Sequence, residues 1–248
     1  MLLLLALTAL LALTAGRCRA AAAAPVQDEQ LEQLDDDEFD DEYADAVVVA
    51  DPLEGFNRAM FTFNDRLYFW VLKPVARGYR FVVPQPVRIG IRNFFTNLMF
   101  PIRFVNCLLQ GKFGASGEEL SRFLLNSTVG LAGLMDPASY DRMPSHDEDF
   151  GQTLAVYGLG SGCYLVWPVF GPSTVRGTVG LVGDYFLKPT TWIFAGETEE
   201  GLAVFAGEKV NAVSLRLGDY ESLIAAVLDP YVAVRNAYFQ QRKKKIEE

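Results

Sequence analysis

Residues 51–70, DPLEGFNRAMFTFNDRLYFW, begin with helix-start chemistry and then place aromatic rings and arginines on almost every side of the helix they predict. Asp51 is positioned to accept hydrogen bonds from free N–H groups of the first turn. Pro52 suits the first helical position, where its missing N–H is not needed, and Glu54 completes a capping box. Phe56, Met60, Phe63 and Leu67 recur at helical spacing, but Phe61, Tyr68, Phe69 and Trp70 fall off that stripe. One core-facing side cannot bury so much apolar surface. Arg58, Arg66, Lys73 and Arg77 occupy the remaining girth, which suits a membrane interface where rings sit at headgroup level and guanidinium groups meet phosphates. The alternative is that the extra rings pack against a second helical layer in an ordinary core.

Charge separates the chain into two regions. The 248 residues carry a net charge of −9, with 31 acidic and 22 basic side chains. Eleven of the acids fall between Asp28 and Asp45, and Arg17 and Arg19 precede them. From Val47 onward twenty acids therefore balance twenty bases, so the body is neutral. Residues 58–103 are locally basic, with seven arginines and Lys73 against Asp65, and are interleaved with Phe94, Phe95 and Phe100. A neutral domain lacks the long-range field that a nucleic acid partner normally requires, whereas lipid makes no such demand on net charge.

Residues 1–24 are almost all Leu, Ala and Thr followed by small residues, the pattern of a cleaved secretory signal, although no basic residue precedes the apolar run. Cys18 stands where a lipoprotein signal places its acylated cysteine, but Arg17 and Ala15 depart from that signal, and cleavage within the alanine run would discard Cys18. Residues 25–50 are acidic with few apolar side chains and are expected to form a flexible spacer. No later segment has eighteen uninterrupted apolar residues, so any membrane association is expected to be interfacial or through a lipid anchor. Cys107 and Cys163 lie far apart in sequence and are expected to stay unbridged.

The body reads as one all-α domain over residues 51–241, followed by a charged tail over 242–248. Val83–Pro86 breaks the chain, and Val87, Ile91, Phe94 and Leu98 mark the next helix. Pro101 starts another, and Ser116 with Glu119 reads as a capping box opening the one after it. Gly130 and Gly133 interrupt the helical pattern. Residues 151–183 are glycine-rich, with Ser173 as a cap and Pro189 as a stop. A helix over 200–217 should end at Gly218, and Asp229 with Pro230 opens the last helix. Strand signals are weak throughout.

Catalytic chemistry is hard to assemble from these residues. The one histidine, His146, lies in the acidic stretch SHDED, which excludes multi-histidine metal sites and offers only one base for a triad. Asp147, Glu148 and Asp149 lack the alternate spacing of a calcium loop and read as a solvated loop. Gly158, Gly160 and Gly162 give half of a dinucleotide fingerprint, but Cys163 stands where its third glycine belongs. No enzyme activity, metal or cofactor is expected.

Five blocks, DPLEGFNR, VPQPVRIGIRNF, RFLLNSTVGLAGLMD, EDFGQTLAVYGLGSGCYLVWPVFGPSTVRG and DPYVAVRNAYF, occur in the order found in the MlaA (VacJ) family, and the resemblance covers residues 51–241. It implies a ring of amphipathic helices lying in the inner leaflet of a Gram-negative outer membrane. It also implies that mislocalised phospholipid passes from the outer leaflet through an amphipathic channel to a periplasmic lipid shuttle (MlaC-like), with trimeric porins as partners. A porin-associated structural envelope lipoprotein without transport is the alternative. Cys163 stands where relatives usually have Pro, and Gly177 where an Asp commonly follows Arg176. A headgroup route needs polar groups beside apolar surface. Asn57 and Asn64, seven residues apart on one helix face, are candidates to line it, unless they bond to other buried elements. Gly158, Gly160 and Gly162 are candidates for a flexible loop over it, unless they only form tight turns.

Overall fold

The computed structural model describes residues 51–247. The expected signal segment, the Cys18 anchor and the acidic spacer lie outside the described residues. Within them the chain is helical: α1 Glu54–Leu67, α2 Lys73–Val82, α3 Gln85–Leu98, α4 Phe100–Leu109, α5 Phe113–Thr128, α6 Pro137–Tyr140, α7 Phe150–Val156, α8 Val175–Leu187, α9 Pro189–Ile193, α10 Thr198–Leu215, α11 Asp219–Ala225 and α12 Pro230–Glu247. The exception is a small antiparallel hairpin, β1 Tyr164–Trp167 and β2 Gly171–Thr174, with Tyr164 opposite Thr174 and Trp167 opposite Gly171. It corrects the expectation of negligible strand while leaving the fold class all-α.

Several local expectations change for physical reasons. The first helix does not run unbroken to Trp70, because Tyr68–Leu72 form a π-helical turn closed by Lys73 N–H donating to the Tyr68 carbonyl. Pro74 has no N–H for the Trp70 carbonyl, so the regular ladder cannot continue there. Ser116 and Glu119 are not a capping box: α5 begins three residues before Ser116, which leaves both side chains buried inside the helix. Thr174, not Ser173, caps α8, its Oγ1 accepting the Gly177 N–H at 3.0 Å. Pro189 does not simply stop that helix but opens the short α9. Asp229 does cap α12, its Oδ1 accepting Tyr231 and Val232 N–H groups at 3.0 and 3.2 Å.

Residues 242–247 are not a tail: they continue α12, and Arg242 and Lys245 pair with Asp149 and Asp147. The SHDED stretch is therefore no solvated loop. Glu148 is buried and takes Lys112 Nζ at 2.7 Å and Gln110 Nε2 at 2.8 Å. Asp149 caps α7 by accepting the Gln152 N–H at 2.9 Å. Helices α7 and α8 cross closely enough that a Cβ on Gly180 would sit 2.5 Å from the Gly151 backbone nitrogen, so any side chain there would push the helices apart.

The apolar core is small and lies where α1, β1 and α12 meet: Tyr164, Val166 and Tyr231 are buried, with Met60, Phe61, Tyr238 and Phe239 packed around them. Helix α10 covers α2 and α3, and α5 lies along α4. No described helix is long and apolar enough to cross a membrane.

Candidate functional site

Among the described residues, buried polar and charged side chains outnumber buried apolar ones two to one, while large apolar side chains stand in solvent along nearly every helix. Trp70, Phe81, Phe113, Tyr140 and Trp192 are all more exposed than buried, with Phe81 at 93%. A water-soluble domain buries its aromatics and exposes its charges. Here many large rings stand outside and the buried set is mostly neutral polar side chains, with Arg88, Glu119, Arg122 and Glu148 the buried charges, so much of the exterior suits an apolar or interfacial surrounding and the interior is held by hydrogen bonds. The rings are not all outward, however. Phe100 stacks on Phe123 at 4.3 Å between centroids, a pairing within the helical layer.

The interior networks join segments distant in sequence. Asn57 is fully buried. Its Nδ2 donates to Asp51 Oδ1 at 2.9 Å and to the Tyr164 carbonyl at 3.0 Å, and its Oδ1 accepts the Val166 N–H at 2.9 Å. Two turns on, Asn64 Nδ2 donates to the Trp167 carbonyl at 2.9 Å and its Oδ1 accepts the Val169 N–H at 2.7 Å. The two amides therefore share one helix face, as their spacing predicted, but that face grips the hairpin backbone. These bonds match the other of the two readings, bonding to a buried element.

Asp51 also has a different role from the helix cap expected of it. Helix α1 begins after Leu53 without a side-chain cap. The Asp51 carboxylate instead accepts from Asn57, from the Tyr231 hydroxyl, and faces Arg235 Nη1 at 3.6 Å. Burial and the Asp51 hydrogen bond both push the Tyr231 phenol up, which keeps it a donor. One carboxylate thus ties the start of α1 to the start of α12. The sequence held a signal for this: Tyr231 and Arg235 are four residues apart and share a helix face.

Two further carboxylates hold the interior: Glu119, whose spacing from Ser116 suggested only a cap, and Asp184, for which the sequence carried no signal. Glu119 is fully buried, accepts Arg103 Nε at 2.7 Å and takes the His146 N–H at 2.7 Å. The His146 ring meets Glu118 at 2.6 Å. Asp184 accepts Asn106 Nδ2 at 3.0 Å and the Phe150 N–H at 3.1 Å, joining α4, α7 and α8. Burial, reinforced by nearby Asp149, pushes the Asp184 carboxyl up to about 6, although its hydrogen bonds and Arg242 act the other way.

A raised carboxyl pKa means the folded state binds a proton more readily than the unfolded chain. The Asp184 contribution to stability therefore grows as pH falls from above 6 toward the ordinary carboxylate range and is absent in an Asn variant. Between pH 7.5 and 5.0 the wild type should gain about 1–2 kcal/mol relative to Asp184→Asn. Denaturant titrations of both proteins at the two pH values check this.

The glycine segment makes turns. Gly158 and Gly162 have positive φ values of 85° and 68°, and a Cβ at Gly162 would come within 2.9 Å of Val175 Cβ. Tyr157 and Leu159 beside them are exposed. Cys107 is buried with a free thiol that burial pushes up to about 11, so it is not bridged to Cys163. No cluster of potential metal ligands occurs among the described residues.

Comparison with known proteins places this arrangement. The family model of the MlaA lipoprotein matches residues 49–245. The intermembrane phospholipid transport system lipoprotein MlaA of Escherichia coli is 37% identical over 196 residues, spanning 77% of this chain and 76% of that protein. The MlaA of Haemophilus influenzae is 33% identical, spanning 80% of each chain. An uncharacterised Rickettsia felis protein is 35% identical over 204 residues, spanning 81% of this chain and 80% of its own. A solved structure, described as a structural basis for maintenance of bacterial outer membrane lipid asymmetry, superposes with a TM-score of 0.66 at 34% identity, covering 79% of this chain and 99% of that one.

Proposed function

Since this chain belongs to the MlaA lipoprotein family, we propose that it removes mislocalised phospholipid from the outer leaflet of the outer membrane and delivers it to a periplasmic lipid shuttle, working beside a trimeric porin from the inner leaflet. The observation that carries this reading is the exposed apolar exterior around a hydrogen-bonded polar interior. A headgroup drawn through hydrocarbon without partners faces a prohibitive desolvation cost. Amphipathic helices with one apolar and one polar side lower that cost while leaving the acyl chains in contact with apolar surface. Gly158, Gly160 and Gly162 belong to this proposal as a loop that yields when lipid passes, carrying exposed Tyr157 and Leu159.

The reading is tested in a strain lacking its own copy of the gene. Phospholipid should accumulate in the outer leaflet, and expression of the wild-type chain should return it to the background level without releasing lysophospholipid. Porin association with no restoration would support the structural-lipoprotein alternative, and lysophospholipid would indicate hydrolysis.

A further inference from the structure

The geometry points to the groove between α2 and the α10–α11 turn as a binding site for the phosphodiester of an anionic glycerophospholipid, an inference that rests on the transport reading above and assigns it a recognition element. The groove is open to solvent, offers about 620 Å³ and is lined by Arg77, Arg80, Phe81, Leu217, Gly218 and Glu221. Arg77, Arg80 and Phe81 fall at positions i, i+3 and i+4 of α2, so two guanidinium groups and a ring project from one helix face.

Most arginines of this domain are engaged by the fold: Arg58 and Arg122 pair with aspartates, Arg103 with Glu119, and Arg88 donates to the Ser214 carbonyl. The Arg77 and Arg80 side chains are exposed, and neither guanidinium makes a hydrogen bond or ion pair with a described residue. The one acid of the groove does not satisfy them. Glu221 takes Lys73 Nζ at 2.8 Å, the Tyr68 hydroxyl at 2.9 Å and the Gly218 N–H at 3.1 Å, and the Lys73 bond holds its carboxyl down at about 2. Lys73 offsets that charge, so the groove keeps a net positive charge from its two arginines.

Guanidinium groups bind phosphate oxygens in paired, charge-assisted hydrogen bonds. The wall beside them is apolar. Phe81, almost fully exposed, and Leu217 both line the groove beside the guanidinium groups. Inorganic phosphate has nothing to set against that wall, whereas a lipid places its glycerol and first acyl carbons there. Two cations facing one phosphodiester also favour a headgroup without an ammonium, so phosphatidylglycerol should bind more tightly than phosphatidylethanolamine.

The test uses the full chain purified in detergent and titrated separately with phosphatidylglycerol, phosphatidylethanolamine and inorganic phosphate, with bound ligand read by native mass spectrometry. Arg77→Gln with Arg80→Gln should weaken phosphatidylglycerol binding by about tenfold, while Arg142→Gln with Lys243→Gln, an equal loss of exposed charge elsewhere, should change it by less than about twofold. The unfolding temperature of the groove variant should match the wild type, because neither arginine bonds to the fold. Equal weakening in both double variants would reduce the effect to general surface charge and overturn the site. Displacement of lipid by stoichiometric inorganic phosphate would make it a free-phosphate site and overturn the lipid assignment, and a lower unfolding temperature would make the arginines structural. Unchanged lipid binding in the groove variant, with restoration of outer-leaflet composition by the wild type, removes this site and leaves the transport reading standing. Failed restoration with groove binding intact does the opposite.

Discussion

Asn57→Leu should lower the stability of the protein by about 3–5 kcal/mol, because it strands three buried partners together. The Tyr164 carbonyl and Val166 N–H lose their side-chain partner, and Asp51 loses the donor on Oδ1. Leu is also larger than the Asn it replaces, and the site is completely enclosed. The neighbouring change Asn64→Leu should cost only about 1 kcal/mol, since its hairpin partners are near enough to the surface for water to replace the amide. Denaturant titration of the two variants in the same detergent separates these outcomes. Equal, small losses would show that α1 does not depend on its grip on the hairpin. A loss confined to lipid transport, with wild-type stability, would return Asn57 to the headgroup route.

Glu119→Leu should be comparably severe, at about 3–5 kcal/mol, for an electrostatic reason. Its carboxylate is the buried partner of Arg103, whose side chain is only 12% exposed, and it also holds the His146 N–H. Removing the acid leaves a guanidinium out of water with the Thr96 carbonyl as its remaining acceptor. Changing both residues together, Arg103→Met with Glu119→Leu, should recover much of the loss, because the desolvated charge disappears with its partner. Chemical denaturation of the single and double variants closes the cycle. Additive losses would mean that the two side chains do not act as a pair.

Two misread residues show where sequence reasoning reached its limit. Asp51 followed by Pro and, three residues on, Glu has the local form of a cap, and local form was all the sequence offered. Its acceptors are instead engaged by Tyr231 and Arg235, about 180 residues away along the chain. Glu119 three residues after Ser116 likewise looked like a helix start. The helix had already begun at Phe113, and Arg103 from the preceding helix claimed the acid. In both cases side chains brought in from elsewhere in the fold hold the acid, the Tyr231 hydroxyl with Arg235 for Asp51 and the Arg103 guanidinium for Glu119, because a buried carboxylate must be paired where it lies.

The sequence by itself determined the helical class, most helix positions, the Asp229 cap and the excess of aromatic residues beyond what one core could bury, because these depend on spacing and on backbone chemistry within a few residues. Its five ordered blocks also determined family membership. Only the tertiary structure decided which polar groups lie inside. The choice between lining a path and clamping a hairpin depends on what faces Asn57 across the fold, and helical spacing carries no information about the opposing segment. The same holds for α12: its basic end read from sequence as a charged tail, but its pairing with Asp147 and Asp149 exists only because the chain returns to them.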